Sequence, residues 1–462
     1  MLEETELLTR LQKIYYGMAR FGPSTMLDML DMATSLFYFS IQRLPAIYTG
    51  ISMAMSYIAI MISELVFGNL SDRTHTRWGR RKPFVMIGAP GMAISFTLVF
   101  TPHLFLAQGD LIALFLYALV TQSLFKAFYG MTMTPFQAWM PELTESEERP
   151  AVSQWQNIAN FMGFVVGTFG TTLLAIESHQ WGLPPVLVYM ILAFIVIQIG
   201  GFILPLVGLK KEGKHIDQPD LLKDIGRALH DRDFVGWILA QGFLSIGFAM
   251  VIKSAFPFIN DYLLFGTLEF VIFGAELLLV VFIFFMIWRW MIKNHGKGIT
   301  LRIAMIVTAL SLFLTLFVQT PLQGFLMIAI VGSGLAGYYL MPYIVYADFA
   351  NKDEILTGES RAGFYTSFPS IPLNTFQAIS VFLWGFVFSL PEVAQVPRAP
   401  SETVTLGYLY WGPIAAVFIL LAVIILFQIN IDPDFEALEK EHYGSIPGED
   451  EQEDYADESG KW

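Results

Sequence analysis

Gly68-Asn69-Leu70-Ser71-Asp72-Arg73-Thr74-His75-Thr76-Arg77-Trp78-Gly79-Arg80-Arg81-Lys82-Pro83 is a polar stretch set between two long apolar ones. A bilayer core excludes such charges, and it takes about 20 mostly apolar residues to cross it as a helix. The stretch therefore reads as a loop between two membrane spans. Gly68 allows close helix contact. Asp72 can pair with a nearby arginine or accept from a helix N-terminus. Arg77, Arg80 and Arg81 form a basic cluster suited to an anionic inner membrane surface.

Working outward, apolar runs fall near residues 22–42, 46–69, 83–107, 110–138, 152–176, 184–208, 234–260, 267–291, 300–320, 322–347, 362–390 and 405–430. They number twelve, so an all-α protein of twelve transmembrane helices is expected. The first is interrupted by Asp28 and Asp31, the seventh by Lys253 and Pro257. Composition agrees: 55% of residues are hydrophobic and 15% charged, against about 25% charged in soluble domains. Of the 27 Lys and Arg residues, only Arg43 and Arg398 fall in loops on the opposite side, and Lys126 and Lys253 lie within spans. The positive-inside rule then places both termini in the cytoplasm, as in a multi-pass cell-membrane protein.

The longest interior loop divides the chain into an N-terminal six-helix bundle (1–209), a linker (210–233), a C-terminal bundle (234–431) and a tail (432–462). Leu221, Leu222, Ile225 and Leu229 recur at helical spacing beside Lys223, Asp224 and Arg227, which predicts an amphipathic linker helix. Most of the net charge of −13 sits in the tail, where from Asp432 to Glu458 twelve acids face Lys440 alone, so a disordered, solvated segment is expected. The N-terminus lacks the short apolar core of a signal peptide. There is no cysteine, no histidine pair at metal-ligand spacing, no phosphate-binding loop and no nucleophile motif. Neither enzyme activity nor a cofactor or metal is expected. No nucleic-acid partner is expected either, because positive-inside accounts for the basic loops.

The opening stretch resembles the loop-two signature of the major facilitator superfamily, and its Thr76-Arg77-Trp78 insertion resembles the glycoside–pentoside–hexuronide:cation symporters (the melibiose permease group) and the sucrose:proton symporters. Tyr16-Gly17 and Phe21-Gly22 look like that family's opening. Tyr129-Gly130-Met131-Thr132, Pro135-Phe136 and Trp139-Met140-Pro141-Glu142-Leu143 look like its fourth span and following loop. Asp348, Asp353-Glu354, Thr357-Gly358 and Arg361 look like its loop between spans ten and eleven. The resemblance implies two pseudo-symmetric six-helix bundles rocking about a central site, lined by spans one, four, seven and ten. His295-Gly296-Lys297-Gly298 fits a degraded second copy of the loop motif.

An ionisable side chain at bilayer depth costs on the order of 3 kcal/mol or more and usually serves function. Asp28 and Asp31, three residues apart on span one, share a face. With Lys126 on span four and Lys253 on span seven, they fall on the spans that the resemblance implies line the cavity. Glu64 on span two aligns, counting back from Arg77-Trp78-Gly79, with a carboxylate that the resemblance assigns to the coupling cation. Glu276 lies on span eight, a peripheral one. Where the permease group has sugar-binding acids, this chain has Ser24 and Met133; Gln156 stands for its span-five arginine, and Leu373 and Asn374 fall near its span-eleven lysine. Melibiose-type sugar and sodium sites are therefore not intact. Gln154, Trp155 and Asn157, with Gln156 and Asn160, offer span five for hydroxyl and ring contacts, and Tyr338, Tyr339 and Tyr343 do so on span ten.

The expectation is a monomeric symporter taking a sugar or glycoside with a coupling proton. Asp28, Asp31, Lys126, Lys253, Gln154, Trp155, Asn157 and Tyr343 would contact substrate, and Glu64 and Asp31 would carry the proton. Gly68, Asp72, Arg73, Arg77, Gly79, Arg80, Arg81, Asp348 and Arg361 would form the gate motif. Two rivals stay open: a transporter of an organic anion, lysolipid or drug, and a non-transporting sensor or scaffold.

Overall fold

The computed structural model describes residues 8–144, 149–177, 181–209, 221–358, 364–365, 368–396 and 399–443. Among these, eleven helices are long and apolar enough to cross a membrane. Span two is Ala46–Arg73, span three Lys82–Val99, span four Leu111–Leu143, span five Arg149–Glu177 and span six Pro185–Gly208. Span seven, Arg232–Pro257, runs on as a π-helix over Phe258–Tyr262. Span eight is Thr267–His295, span nine Lys297–Phe313, span ten Pro321–Thr357, span eleven Ser370–Phe388 and span twelve Gly407–Leu426. The helix broken in sequence by Asp28 and Asp31 supplies span one: an α-helix over Phe21–Thr34 continues as a π-helix over Ser35–Ile41. At about 1.5 Å per residue it is long enough to cross the core.

Local chemistry sets where the spans begin. The Asp110 side chain accepts from Ala113 N at 3.0 Å to start span four, and Asp231 accepts from Asp233 N and Phe234 N to start span seven. Thr320 and Gln323 close a capping box ahead of span ten, with Pro321 at its first turn. Large apolar side chains such as Val196, Val207 and Leu268 point outward and stay exposed, as they must where the solvent is lipid.

Packing repeats with the chain. Spans two and four, one and five, three and four, three and six, and one and six pack together in the first half. The same pairs shifted by six pack in the second: eight and ten, seven and eleven, nine and ten, nine and twelve, seven and twelve. Between the bundles, span two meets span eleven, span five meets span eight, and span one meets span seven. This is the duplicated two-bundle architecture that the loop motif implied.

Several boundaries differ from the sequence reading. Span ten continues to Thr357, so Asp348, Asp353 and Glu354 are helical rather than in a loop; nothing stops the helix before Gly358, whose φ of 70° ends it. Span eleven starts at Ser370, eight residues later than the expected 362. An antiparallel hairpin, β1 (Glu392–Val396) with β2 (Ala399–Thr405), links spans eleven and twelve. The tail, read as disordered from residue 432, begins with a helix over Phe435–Tyr443 that packs on span ten. The linker helix is present over Leu221–Ala228.

Candidate functional site

The membrane-embedded charges converge on Asp31. Its Oδ1 lies 3.0 Å from Lys126 Nζ and 3.1 Å from Lys253 Nζ, and the Tyr57 hydroxyl donates to the same oxygen at 3.0 Å. Lys253 also donates to the Asp31 backbone carbonyl. Lys126 Nζ sits 3.0 Å from the centroid of the Tyr57 ring, over its face. Both lysines are 1% exposed, while the Asp31 side chain is 24% exposed. Two buried ammonium groups sharing one carboxylate oxygen keep their charge only because that oxygen is there; taking it away strands two unpaired charges. The cluster spans the interface: Asp31, Tyr57 and Lys126 belong to spans one, two and four, and Lys253 to span seven.

Asp28 occupies the same face one turn away, with its Cβ over Gly167 of span five. Among the described residues it makes no hydrogen bond or ion pair. Nearer the loop-two end of span one, Arg20 Nε donates to Asn160 Oδ1 at 2.8 Å and the Ser24 hydroxyl donates to the same oxygen. Ser24 thus serves as a polar tie to span five.

Glu64 lies elsewhere. Its Oε2 accepts from Ser370 Oγ at 2.5 Å and from Asn374 Nδ2 at 3.1 Å, both on span eleven. Its partners are neutral and belong to the other bundle, so it ties the two halves together. The sequence does not single out Tyr57 or Ser370, because a tyrosine or serine in a span is ordinary until its neighbours are known; Asn160, offered with the polar run of span five, is here a tie to Arg20 and Ser24.

Gln154 and Asn157 are exposed on span five, and Trp155 packs its Cβ side against Gly17 of the N-terminal helix Arg10–Met18. Among the described residues none of the three bonds to the Asp31 cluster. On span ten, the Tyr338 hydroxyl shares a 2.8 Å hydrogen bond with Ser245 of span seven and its ring stacks on Phe248, while Tyr339 meets Phe164 of span five edge-on. Tyr343 falls within the same span.

The gate motif is only partly a surface feature. Arg81 is 3% exposed, pairs with Asp72 at 2.7 Å and donates to Ser71 Oγ at 2.9 Å. The expected role of Arg81 as a contact to lipid headgroups does not hold, because its guanidinium is consumed inside the loop. Arg77 lies over the exposed Trp78 ring at 4.5 Å. Gly79 takes a φ of 110° in a turn closed by Thr76. Lys82 donates to the carbonyls of Leu206 and Leu209 at the end of span six, at 3.0 and 2.8 Å. Gly68 faces the Thr134 methyl of span four. Arg73 ends span two and Arg80 follows the Gly79 turn. In the second half, Lys297 pairs with Asp348, and Asp432 accepts from Lys297 N and Gly298 N at 2.8 and 2.7 Å. Arg361 lies outside the described residues.

Two duplicated bundles, twelve spans and a charge cluster shared across their interface define a secondary transporter. The chain matches the family model described as MFS/sugar transport protein over residues 13–433 and belongs to that family. It is 22% identical to an uncharacterized symporter of Synechocystis sp., over 84% of this chain and 87% of that protein. It is likewise 22% identical to an isoprimeverose transporter of Lactiplantibacillus pentosus, over 93% of this chain and 91% of that protein. The fold resembles the crystal structure of a D-xylose-proton symporter, with a TM-score of 0.64 at 14% identity, covering 91% of this chain and 98% of that one. The protein is a multi-pass membrane transporter rather than an enzyme.

Proposed function

We propose that the chain is a monomeric, proton-coupled symporter of a sugar or glycoside in a cell membrane, with both termini in the cytoplasm. The observation that carries this is Asp31: a partly exposed carboxylate, deep in the spans, that holds lysines from both bundles. Such a group can exchange a proton with an opened cavity and, in doing so, alter the force between the bundles. The names of the full-length relatives, a symporter and a sugar transporter, favour this reading over an anion, lipid or drug substrate and over a scaffold. Gln154 and Asn157 offer amides to sugar hydroxyls. Glu64 is the second candidate for the proton, at a bridge that also ties span two to span eleven.

The test is uptake by proteoliposomes holding the pure protein, with an inward proton gradient, sodium present or absent, and radiolabelled isoprimeverose, xylose, lactose and sucrose. Accumulation of a sugar that needs the proton gradient and not sodium is expected. Accumulation that needs sodium overturns the coupling assignment, and none in either condition overturns the substrate class. In the same assay Glu64→Gln is expected to lose uphill accumulation while the protein stays folded; unchanged accumulation would leave Glu64 as a tie alone.

A further inference from the structure

Lys126 and Lys253 carry the same charge and share the same carboxylate oxygen, yet they are held differently. Lys126 has a second partner in its own bundle, the face of the Tyr57 ring. Every partner of the Lys253 ammonium among the described residues, the Asp31 carboxylate and the Asp31 carbonyl, lies across the interface. The other carboxylate oxygen, Asp31 Oδ2, has no partner among the described residues, and the side chain is partly exposed. Oδ1 is crowded by three donors and Oδ2 is open.

We propose that Tyr57 is a positioning residue for coupling: its ring retains Lys126 in the N-terminal bundle when Asp31 is neutralised, so that protonation releases Lys253 alone and frees one bundle from the other. This rests on the reading that Asp31 carries the coupling proton. The proton adds to Oδ2, forming an O–H bond and removing the charge that both ammonium groups share; it is later given up to water on the other face. With that charge gone the two ammonium groups repel at short range in a medium of low dielectric. Lys126 keeps the cation–π contact, which is strongest where it is desolvated. Lys253 keeps only neutral oxygens, the Asp31 backbone carbonyl and Oδ1 of the uncharged acid, too little to hold a buried ammonium, and it leaves by moving span seven away from span one. Without the ring Lys126 has no partner among the described residues apart from Asp31, and the proton's effect is spread over both lysines.

The remaining titratable or charged groups around this cluster are Asp28 on span one, with Arg20 ahead of that span acting on Asp28, Glu64 on span two, and Tyr338 and Tyr339 on span ten. None of them is within hydrogen-bond distance of the Asp31 carboxylate among the described residues. Tyr57 is therefore the uncharged side chain placed to tell one lysine from the other.

The chain has no cysteine, so a single introduced thiol reports opening without any background. Ser40 is 2% exposed at the π-helical end of span one, beside Tyr408 of the other bundle. In purified Ser40→Cys protein in proteoliposomes, maleimide labelling is measured as the pH is lowered, with no sugar present. Labelling is expected to change by about tenfold across the transition, the factor that one unit of proton affinity carries. Tyr57→Phe keeps the ring and loses the hydroxyl that stabilises ionised Asp31, so it should keep the response and move its midpoint to higher pH. Tyr57→Leu should lose most of the response, and Lys253→Met all of it. A full response in Tyr57→Leu overturns the proposal, as does a full response in Lys253→Met. If Tyr57→Leu fails to fold, Tyr57→Met, which also lacks the ring, decides by the same loss of response. Asp31→Asn separates the two layers: a response that persists there overturns Asp31 as the proton carrier. A response lost there but intact in Tyr57→Leu overturns only the role of Tyr57.

Discussion

Gly50 of span two and Gly385 of span eleven meet backbone to backbone. A methyl group on Gly50 would stand 2.7 Å from Gly385 Cα and 2.8 Å from the Val381 carbonyl oxygen. The obstacle is main chain, which no rotamer relieves, so a larger residue must part the two bundles. Gly50→Leu is expected to cost about 1–3 kcal/mol in this conformation, in the range of overpacked sites. The variant should melt earlier in detergent and take up sugar more slowly; a wild-type melting temperature with wild-type uptake would show that the contact is dispensable. This glycine pair was not legible in the sequence. Gly68 was, because it sits in a motif, but a small residue that serves as a docking surface has no signature of its own, and its partner lies far along the chain. Charges behave oppositely. Asp31, Lys126 and Lys253 stood out because so few ionisable side chains occur in the spans, and the structure does bring those three together. Asp28, their neighbour by helical spacing, stays apart, since sharing a face of one helix says nothing about which groups the other helices bring.

At the scale of elements, the spans were readable from hydropathy while their ends were not. The two π-helical extensions, Ser35–Ile41 and Phe258–Tyr262, occupy matching ends of spans one and seven, and both close into a left-handed residue, Arg43 at φ 57° and Leu264 at φ 53°. No residue type marks them, because an extra residue per turn is imposed by packing around the helix. Capping was hidden for a related reason. Span nine has no capping side chain at its own N-cap, Gly296, and Asp432, arriving from beyond span twelve, accepts its first N–H groups instead. The corresponding end of span three is tied in the opposite sense, by Lys82 to the carbonyls ending span six. Cutting the chain after residue 431 should therefore lower the melting temperature, and Asp432→Ala alone should cost about 1 kcal/mol, as the loss of a cap does. Cutting after Tyr443 should change neither stability nor flux. Equal melting temperatures for the two truncations would refute Asp432 as the cap.

For the whole molecule, what matters is which face the bundles close. Described cross-bundle contacts gather on the face that carries the loop between spans one and two. Arg43 pairs across the interface with Asp261 at 3.8 Å, and Tyr408 holds Asp261 from within its own bundle by donating to it at 2.6 Å. Phe39 packs edge-on against Trp384 and Phe388, and Gly274 of span eight faces Thr172 of span five. Toward the loop-two face, the bridge of Glu64 to Ser370 and Asn374 joins spans two and eleven. A carrier that alternates must break the first set of contacts in every cycle while keeping its two bundles intact. That requirement is open to direct test, because the natural chain is free of cysteine. In Arg43→Cys/Asp261→Cys, a short bismaleimide, to which each thiol adds, joins span one to span seven at the closed face. Each single variant treated alike should keep transporting, since the pair is long and its Arg43 side chain is exposed, so that the pair contributes little to stability. The cross-linked double variant should stop accumulating sugar. It should also stop exchanging internal for external sugar, which needs no net proton movement but does need both faces to open. Continued exchange after complete cross-linking would mean that this face does not part during transport, and the rocking of two rigid bundles would have to give way to a smaller, local gate.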